Sequence, residues 1–366
     1  MSKRTLGWIA FAALLLWLPQ YAEAFWLQTG LFAMSAAIAA IGLTLLVGVT
    51  GQLSLATAFF IAIGAYAYSY FAGEKGAAGG AITAPDGLGW PPLLAAIAAV
   101  VLAGLAGAAF SPIAARLQGI YLGLASIGLV FIGQHILQNA TAVTGGFNGR
   151  DAAPFDLFGF HFANDHPSNL SVFGVPYGQL ERLWYLGLLL VVLAAWYARN
   201  LQRNRPGRAL EAIRDSEVAA AVMGVNVPGY RAAAFTVSSA YAGLAGVLLA
   251  LAFGRVVPES FGFLYSIDFL VMIVLGGLGS IGGAVVGALI VSALPQILNH
   301  YAGSLPLVVA PGGDGLQPSD AARFLYGAAV VAVLIFTPYG FAGIARRAWR
   351  RPLSRAQPPP AKESTA

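Results

Sequence analysis

The chain has 366 residues, of which 58% are hydrophobic and 10% are charged. Soluble domains carry about 25% charged residues, so this composition excludes an ordinary water-soluble protein. The chain contains no cysteine, which excludes disulfides, thiolate catalysis and cysteine-based metal sites. Its four histidines are scattered along the sequence, and we predict no metal site from them.

Ten apolar runs are long enough to cross a bilayer core of about 30 Å, which takes about twenty helical residues. Lipid offers no partners to backbone amides, and the runs lack the alternation of barrel strands, so each run predicts a helix. The predicted fold class is all-α, a polytopic transmembrane helix bundle of about ten spans. The spans run approximately over Gly7–Trp26, Leu31–Val49, Leu53–Phe71, Pro92–Ala115, Ile120–Gln138, Leu183–Ala198, Tyr230–Phe253, Phe261–Leu278, Ile281–Leu298 and Phe324–Ala342.

The N-terminal run has a second interpretation. Lys3-Arg4, an apolar stretch from Trp8 to Leu18 and the sequence Ala22-Glu-Ala24 are also typical of a cleaved signal peptide. Cleavage would leave nine spans and would not change the orientation of the later ones.

The basic residues predict the orientation of the bundle. With a cytoplasmic N-terminus, fifteen of the twenty lysines and arginines fall on the inner side, as the positive-inside rule requires. The net charge of +5 then indicates topology and not nucleic-acid binding. We expect cytoplasmic termini, one transmembrane domain over residues 1–345, a periplasmic loop at 139–182, a cytoplasmic loop at 200–229, and a basic, disordered cytoplasmic tail at 346–366.

One sequence pattern suggests a nucleotide-binding site, but its surroundings exclude that interpretation. Gly277-Leu-Gly279-Ser-Ile-Gly282 matches the dinucleotide fingerprint, but it lies between two predicted spans instead of between a strand and a helix. We expect a tight turn there, which glycine permits. The sequence also lacks a P-loop motif, so any use of ATP must come from a partner.

Asp268 is the only acid that we place inside a span. Acids within the membrane are often functional. The alternative is that Ser266 and Asp268, close to the outer start of their helix, cap its free amides. Both interpretations stay open at this stage.

The inner loop predicts one amphipathic helix from Arg208 to Met223, ended by Gly224. The apolar positions are Leu210, Ile213, Val218 and Val222, and the polar positions are Arg208, Glu211, Arg214, Asp215 and Glu217. The helix could lie on the membrane surface, but such helices favour a polar face of Lys and Arg alone. Mixed acids and bases favour docking into a groove on another protein.

Four stretches resemble the LivM-type permease subunits of branched-chain amino-acid ABC transporters. They are the inner loop from Gly207 to Asn226, Val47-Gly-Val-Thr-Gly-Gln-Leu-Ser-Leu55, Thr144-Gly-Gly-Phe-Asn-Gly149, and Leu275-Gly-Gly-Leu-Gly-Ser280 with the small residues that follow it. Together they extend from about Ile41 to Leu298.

The resemblance implies an inner-membrane importer of branched-chain or related hydrophobic amino acids. Its expected partners are a second permease subunit, two cytoplasmic ABC ATPases that bind the ATP, a periplasmic amino-acid-binding protein and the lipid bilayer. This chain itself would carry no cofactor and would not be an enzyme. Coupling to the ATPases is expected of Arg208, Glu211, Ala212, Ile213, Arg214, Asp215, Glu217 and Gly224. The expected translocation pathway includes Gly51, Gln52, Ser54, Thr144, Asn148, Gly276, Gly277, Gly279 and Ser280, to which we add Asp268.

Other functions remain open on the sequence alone. A sugar permease of the same superfamily is the nearest alternative, followed by a permease for urea or short amides. A secondary transporter acting alone is disfavoured, because the spans carry no ladder of acids and histidines to relay protons.

Overall fold

The computed structural model describes residues 15–74, 86–117, 119–157, 160–162, 171–172, 175–176, 178–301, 317–336 and 340–343. The predicted tail at 346–366 and residues 7–14 of the first predicted span lie outside these residues. The α-helices, in chain order, are α1 (Ala24–Leu43), α2 (Thr57–Ala72), α3 (Pro92–Arg116), α4 (Ile120–Asn139), α5 (Thr141–Thr144), α6 (Gln179–Arg203), α7 (Arg205–Asp215), α8 (Glu217–Val222), α9 (Val227–Phe253), α10 (Phe263–Gly276), α11 (Ile281–His300) and α12 (Pro318–Phe336).

Short 3-10 turns and two-residue strands connect the helices. The 3-10 turns are Leu18–Gln20, Gly146–Asn148 and Pro258–Phe261, and a π-helical turn, Thr44–Val49, continues α1. Strand β1 (Arg150–Asp151) pairs antiparallel with β6 (Arg255–Val256), β2 (Asp156–Leu157) with β3 (Phe160–His161), and β4 (Ser171–Val172) with β5 (Val175–Pro176). Helices therefore dominate, as predicted.

Six helices in the described part are long and apolar enough to cross a membrane. They are α1 with its π-helical turn, α3, α4, α6, α9 and α11. Helices α2 and α10 are also apolar but shorter. These helices confirm the predicted polytopic helical membrane protein. The predicted number of about ten spans stays a prediction.

Helices α1 and α9 lie at the centre of the bundle. Most of their residues are buried, whereas a third or less of α3, α4, α6 and α11 is buried. The Ser35 hydroxyl on α1 donates to the Ala245 carbonyl on α9 at 2.7 Å, and Gly64 of α2 lies against the backbone of Gly243 of α9. In lipid, close approach of this kind replaces the hydrophobic effect as the source of helix association.

Several predicted boundaries are wrong. Helix α1 begins at Ala24, so Trp26 belongs to this helix and not to the span before it. Helix α2 begins at Thr57, because the apolar residues from Leu53 onward are not yet helical. Hydrophobicity alone does not distinguish an apolar extended segment from an apolar helix.

The contact between Gly64 and α9 gives a stability prediction. A methyl group at position 64 would lie 2.1 Å from the Gly243 carbonyl oxygen, whereas one at Gly128 of α4 meets nothing within 4 Å. We expect Gly64→Ala to reduce the free energy of unfolding by about 1–3 kcal/mol, as overpacking does. Gly128→Ala is the matched control and should leave stability unchanged or raised. Thermal unfolding of the purified protein measures both, and equal midpoints would contradict the predicted close packing.

Candidate translocation and coupling site

The main irregularity of the bundle is an unwound segment, defined here as residues 50–56, between the end of α1 and the start of α2. The Thr50 hydroxyl donates to the Leu46 carbonyl at 2.5 Å. Gly51 then adopts φ +73°, a conformation that side chains other than glycine rarely accept. The chain leaves the helix there and resumes it at Thr57.

Side chains from other helices satisfy the amides of this segment. Ser126 of α4 accepts a hydrogen bond from the Leu55 amide at 2.8 Å, and Ser266 of α10 accepts one from the Ala58 amide at 3.1 Å. The Ser54 hydroxyl accepts from the Ala56 amide at 3.4 Å. Non-helical backbone among membrane helices is tolerated where protein groups or water satisfy it. Two distant helices are thus fixed to the unwound segment.

Gln52 and Ser54 are both buried in this segment, with 4% and 3% of their surfaces exposed. The Gln52 amide nitrogen lies 3.5 Å from the carbonyl of Arg231, at the start of α9. Its amide oxygen is buried and has no hydrogen-bond donor among the described residues. Buried polar atoms normally have a partner, so this oxygen is available to a water or a ligand.

The turn between α10 and α11 reaches the same end of the bundle. Gly277 and Gly279 adopt φ +109° and +78°, and the Ser280 hydroxyl caps α11 by accepting from the Gly283 amide at 3.2 Å. A methyl group on Gly48, just before the unwound segment, would lie 2.3 Å from the Gly279 nitrogen. The structure therefore confirms the predicted tight turn and brings it against the end of α1, while Gly276 packs on Gly283.

The predicted single helix in the inner loop is wrong, because the chain breaks at Ser216. This residue is extended, with φ −161° and ψ 112°, and its hydroxyl caps α8 by accepting from the Ala219 amide. Serine is a preferred N-cap residue and so competes with a continuous helix. Gly224, with φ +83°, follows the end of α8 as predicted.

The apolar positions of the loop do not form one face. Leu210 and Ile213 of α7 are buried against the bundle, with 4% and 2% exposed. Val218, Val222 and Met223 are 76%, 81% and 83% exposed. We name these three residues the exposed apolar patch. The break at Ser216 separates a part that packs on the bundle from a part that faces away from it.

Three of the predicted coupling residues contact the bundle itself, namely the buried Ile213 described above, Arg214 and Glu217. The Arg214 guanidinium donates to the Gly48 carbonyl at 2.8 Å, and its side chain lies over Gly51. Glu217 of α8 forms an ion pair with Arg231 of α9, whose carbonyl faces Gln52. Helix α7 is therefore attached to the end of α1 just before the unwound segment, and α8 to the start of α9, whose Arg231 carbonyl faces Gln52. The other predicted coupling residues, Arg208, Glu211, Ala212, Asp215 and Gly224, are exposed.

Thr144 and Asn148 lie apart from the unwound segment, in the outer loop. The buried Thr144 hydroxyl donates to the carbonyls of Leu137 and Ala140 at 2.6 and 2.9 Å, while Asn148 is exposed. Thr144 therefore closes the end of α4 within the loop.

Arg150 holds the loop at 139–182, and no sequence motif singled this residue out. Its guanidinium donates to the Ser69 carbonyl at 2.9 Å and to the Val143 carbonyl at 2.8 Å, and lies over the Tyr70 ring. Burial lowers the pKa of this guanidinium, and Tyr70 and Asp86 partly offset the effect. A cation on the last carbonyls of α2 is favoured by the helix dipole.

The capping interpretation of Asp268 is wrong. Helix α10 has no side-chain cap and begins at Phe263 after Gly262, and Ser266 instead caps α2 through the Ala58 amide. Asp268 accepts a hydrogen bond from the Tyr326 hydroxyl of α12 at 2.6 Å. Two residues correspond to about 200° of helix rotation, so Asp268 lies on the face of α10 opposite Ser266. The structure does not bring it to the unwound segment.

These features define a polytopic membrane protein of the transporter class, in which an interrupted helix is attached to α7 and α8. Discontinuous helices are typical of substrate pathways in transporters. Within the described residues, no three His, Asp or Glu side chains come together as metal ligands.

Comparison with known proteins gives the family. The family model described as the branched-chain amino acid transport system / permease component matches residues 26–334. The permease protein LivM of the high-affinity branched-chain amino acid transport system of Salmonella typhimurium is 32% identical over 325 residues, 84% of this chain and 68% of that protein. The chain belongs to the family of permease components of branched-chain amino acid transport systems.

Other relatives show the breadth of the family. The Escherichia coli permease protein LivH is 28% identical over 271 residues, 72% of this chain and 82% of that protein. The ribose import permease protein RbsC of the same species is 29% identical over 274 residues, 72% of this chain and 74% of that protein. No solved structure matches the chain. The relatives are transport permeases and not enzymes, and the chain is a multi-pass protein of the inner membrane.

The hydrogen bond from Ala58 to Ser266 gives a second prediction. Ser266→Ala removes the acceptor of a buried amide at the start of α2, at a cost of about 1–3 kcal/mol. Ser111→Ala is the control, because the Ser111 hydroxyl bonds only a carbonyl of its own helix. Thermal unfolding should show a lower midpoint for Ser266→Ala than for Ser111→Ala. Equal midpoints would show that Ser266 does not stabilise the start of α2, which follows the unwound segment.

Proposed function

We propose that the chain is the membrane-spanning half-channel of an ATP-driven importer for branched-chain or related hydrophobic amino acids. The family and the transport system named for LivM and LivH support the substrate class. The observation that carries the proposal is the attachment of the unwound segment to α7 and α8 through Arg214 and Glu217. This attachment gives a cytoplasmic motor a direct connection to an interrupted helix in the bundle.

The proposed topology has ten spans, or nine if the N-terminal segment is cleaved, with both termini in the cytoplasm. Helices overlap nine of the ten predicted spans within the described part of the chain. The basic residues of the loop at 200–229 support a cytoplasmic position. Residues 139–182 would then be periplasmic, 1–345 the permease domain and 346–366 the cytoplasmic tail.

The partners in this proposal are a second permease subunit, two cytoplasmic ATPases that bind ATP, and a periplasmic amino-acid-binding protein. The exposed apolar patch supports docking of an ATPase, since exposed apolar side chains next to charges are typical of docking helices. Its charged neighbours Arg208, Glu211 and Asp215 are exposed as well. Ala212 and Gly224 complete the proposed docking surface.

The proposed coupling mechanism is a rigid-body displacement of α7 and α8 when the ATPases close. Such a displacement would pull the Gly48 carbonyl through Arg214 and the start of α9 through Glu217 and Arg231. Gln52 lies between these two points. The unwound segment has few helical hydrogen bonds of its own and is the part of the proposed pathway that can respond.

The proposed pathway follows the unwound segment with Gly51, Gln52 and Ser54, and the adjoining turn from Gly276 to Ser280. The free amide oxygen of Gln52 can accept a hydrogen bond from the ammonium group of an amino acid. Gln52 is neutral, so the protein itself places no charged side chain in the bundle here. Pathway roles for Thr144, Asn148 and Asp268 stay predictions.

The two faces of the cytoplasmic helices give a prediction for coupling. Val218→Asp with Val222→Asp places charges on the exposed apolar patch, and we expect ATPase co-purification and uptake to fall at least about tenfold, as for lost interface anchors. Arg214→Ala breaks the bond to Gly48, and we expect co-purification to persist while uptake is lost. Pull-down, ATP hydrolysis and uptake in vesicles of the complete transporter measure these effects.

Unfolding temperatures provide the control for both variants. Each should match the wild-type chain within a few degrees, because an exposed substitution usually changes stability little. If Arg214→Ala loses the ATPases, or if the double aspartate variant keeps them, the assignment of the two faces is wrong.

A prediction for the substrate rests on Gln52. Vesicles with the complete transporter should take up leucine, isoleucine and valine, and Gln52→Leu, which keeps size but removes the amide, should raise KM about tenfold. Gln202→Leu is the control, since Gln202 bonds the Gly279 carbonyl on the cytoplasmic side. Ribose is the comparison substrate because of the similarity to RbsC. Uptake of ribose in place of leucine would contradict the proposed substrate class.

A further inference from the structure

A cavity of about 170 Å³ lies between α1, α9, α10 and α11, away from the unwound segment. Asp268 is part of its wall and faces away from Ser266, which holds the start of α2. The Ser260 side chain, also in the wall, is exposed, so the cavity is accessible from the side of the outer loops. Neither the family nor the proposed pathway accounts for this space.

One end of the cavity is polar and incompletely hydrogen-bonded. Asp268 accepts one hydrogen bond, from Tyr326, and no ion pair reaches it within the described residues. The Arg323 guanidinium bonds Asp320 at 3.3 Å and interacts with Tyr326, so its charge acts on Asp268 from a distance and without a direct ion pair. A carboxylate among membrane helices requires a further partner.

Four further polar groups line the cavity with Asp268. They are the hydroxyls of Ser260, Tyr265 and Ser292 and the amide of Gln296. The Ser292 hydroxyl donates to the Ala288 carbonyl of its own helix at 2.6 Å, whereas the other three side chains have no hydrogen-bond partner among the described residues. Polar groups that converge on a partly apolar cavity are typical of small-molecule sites.

The other end of the cavity is apolar. Phe32 and Phe253 pack together with ring centroids 4.6 Å apart, and Leu249 and Met272 complete this wall. Among the described lining residues there is no lysine or arginine. A ligand with a carboxylate would therefore lack a partner, whereas a cation would find one.

We propose that the cavity binds a small organic ammonium ion with an aliphatic body. The ammonium donates to the Asp268 carboxylate and to the hydroxyl and amide oxygens beside it, and the aliphatic body contacts Phe32, Phe253 and Met272. At about 30 Å³ for each water-sized group, the cavity holds about six non-hydrogen atoms. The proposal does not rest on the proposed transport function, because the cavity and the unwound segment lie on opposite faces of α10.

A pair of isosteric probes tests the proposal on the purified full chain. The probes are 3-methylbutylammonium and 3-methylbutan-1-ol, which share a shape and differ in charge. Saturation-transfer NMR titrations should show that the ammonium probe binds about tenfold or more tightly than the alcohol, as a charge-assisted hydrogen bond requires. Asp268→Asn should reduce the affinity for the ammonium probe to that for the alcohol.

Two matched variants separate this effect from damage to the fold. Glu259→Gln removes the carboxylate of Glu259, which is next to Ser260 but does not line the cavity. This variant should bind the ammonium probe like the wild-type chain. Tyr326→Phe removes the hydrogen bond to Asp268 but keeps the carboxylate, so binding should persist. Equal affinity for the two probes, or unchanged binding by Asp268→Asn, would overturn the proposal.

The ammonium group could belong to a free molecule or to an ethanolamine lipid headgroup. Titrations in nanodiscs of phosphatidylglycerol and of phosphatidylethanolamine distinguish these sources. Equal affinities for the ammonium probe indicate a free ligand, and a weaker affinity in phosphatidylethanolamine indicates that the headgroup occupies the cavity. Loss of ammonium selectivity in both would count against the site.

Discussion

Backbone amides surrounded by membrane helices must be satisfied within the protein, and the unwound segment is where this constraint decides the structure. The Gly51 and Gln52 amides still bond carbonyls of the turn before them, and other helices supply acceptors to Leu55 and to Ala58, just after the segment. Ser126 and Ser266 each provide one acceptor from a different helix. The loss of one helical turn therefore fixes the positions of α4 and α10 relative to α2, and the break becomes a junction of the bundle.

The same junction extends to α7. Arg214 bonds the carbonyl of Gly48, a residue whose backbone also touches Gly279. A larger residue at position 48 would separate the end of α1 from the turn before α11. Small residues thus have two functions here, close packing of backbones and access of a guanidinium to a carbonyl. The Glu217–Arg231 ion pair adds a second connection on the other side of Gln52.

Sequence patterns predicted those features of the fold that depend on local composition. The apolar runs predicted a polytopic helical bundle, and the glycines at 277 and 279 predicted the turn that their positive φ angles confirm. The break before Thr57 could not be predicted, because Leu53–Phe71 is uniformly apolar and the serines that satisfy it are distant in sequence. The break at Ser216 was indicated by the local sequence, because a serine followed by Glu217 is typical of the start of a helix. The partners of Asp268 and Arg150 depend on tertiary packing and leave no such indication.

The separation at Ser216 gives one loop two parts, one packed on the bundle and one exposed. A single helix with Leu210, Ile213, Val218 and Val222 on one face would bury all four or expose all four. Because α8 begins in a new direction, Leu210 and Ile213 are buried and Val218 and Val222 are exposed. Arg214 and Glu217 flank the break and bond the bundle. Two polar contacts at the break, together with the buried Leu210 and Ile213, therefore connect this loop to the bundle beside the unwound segment.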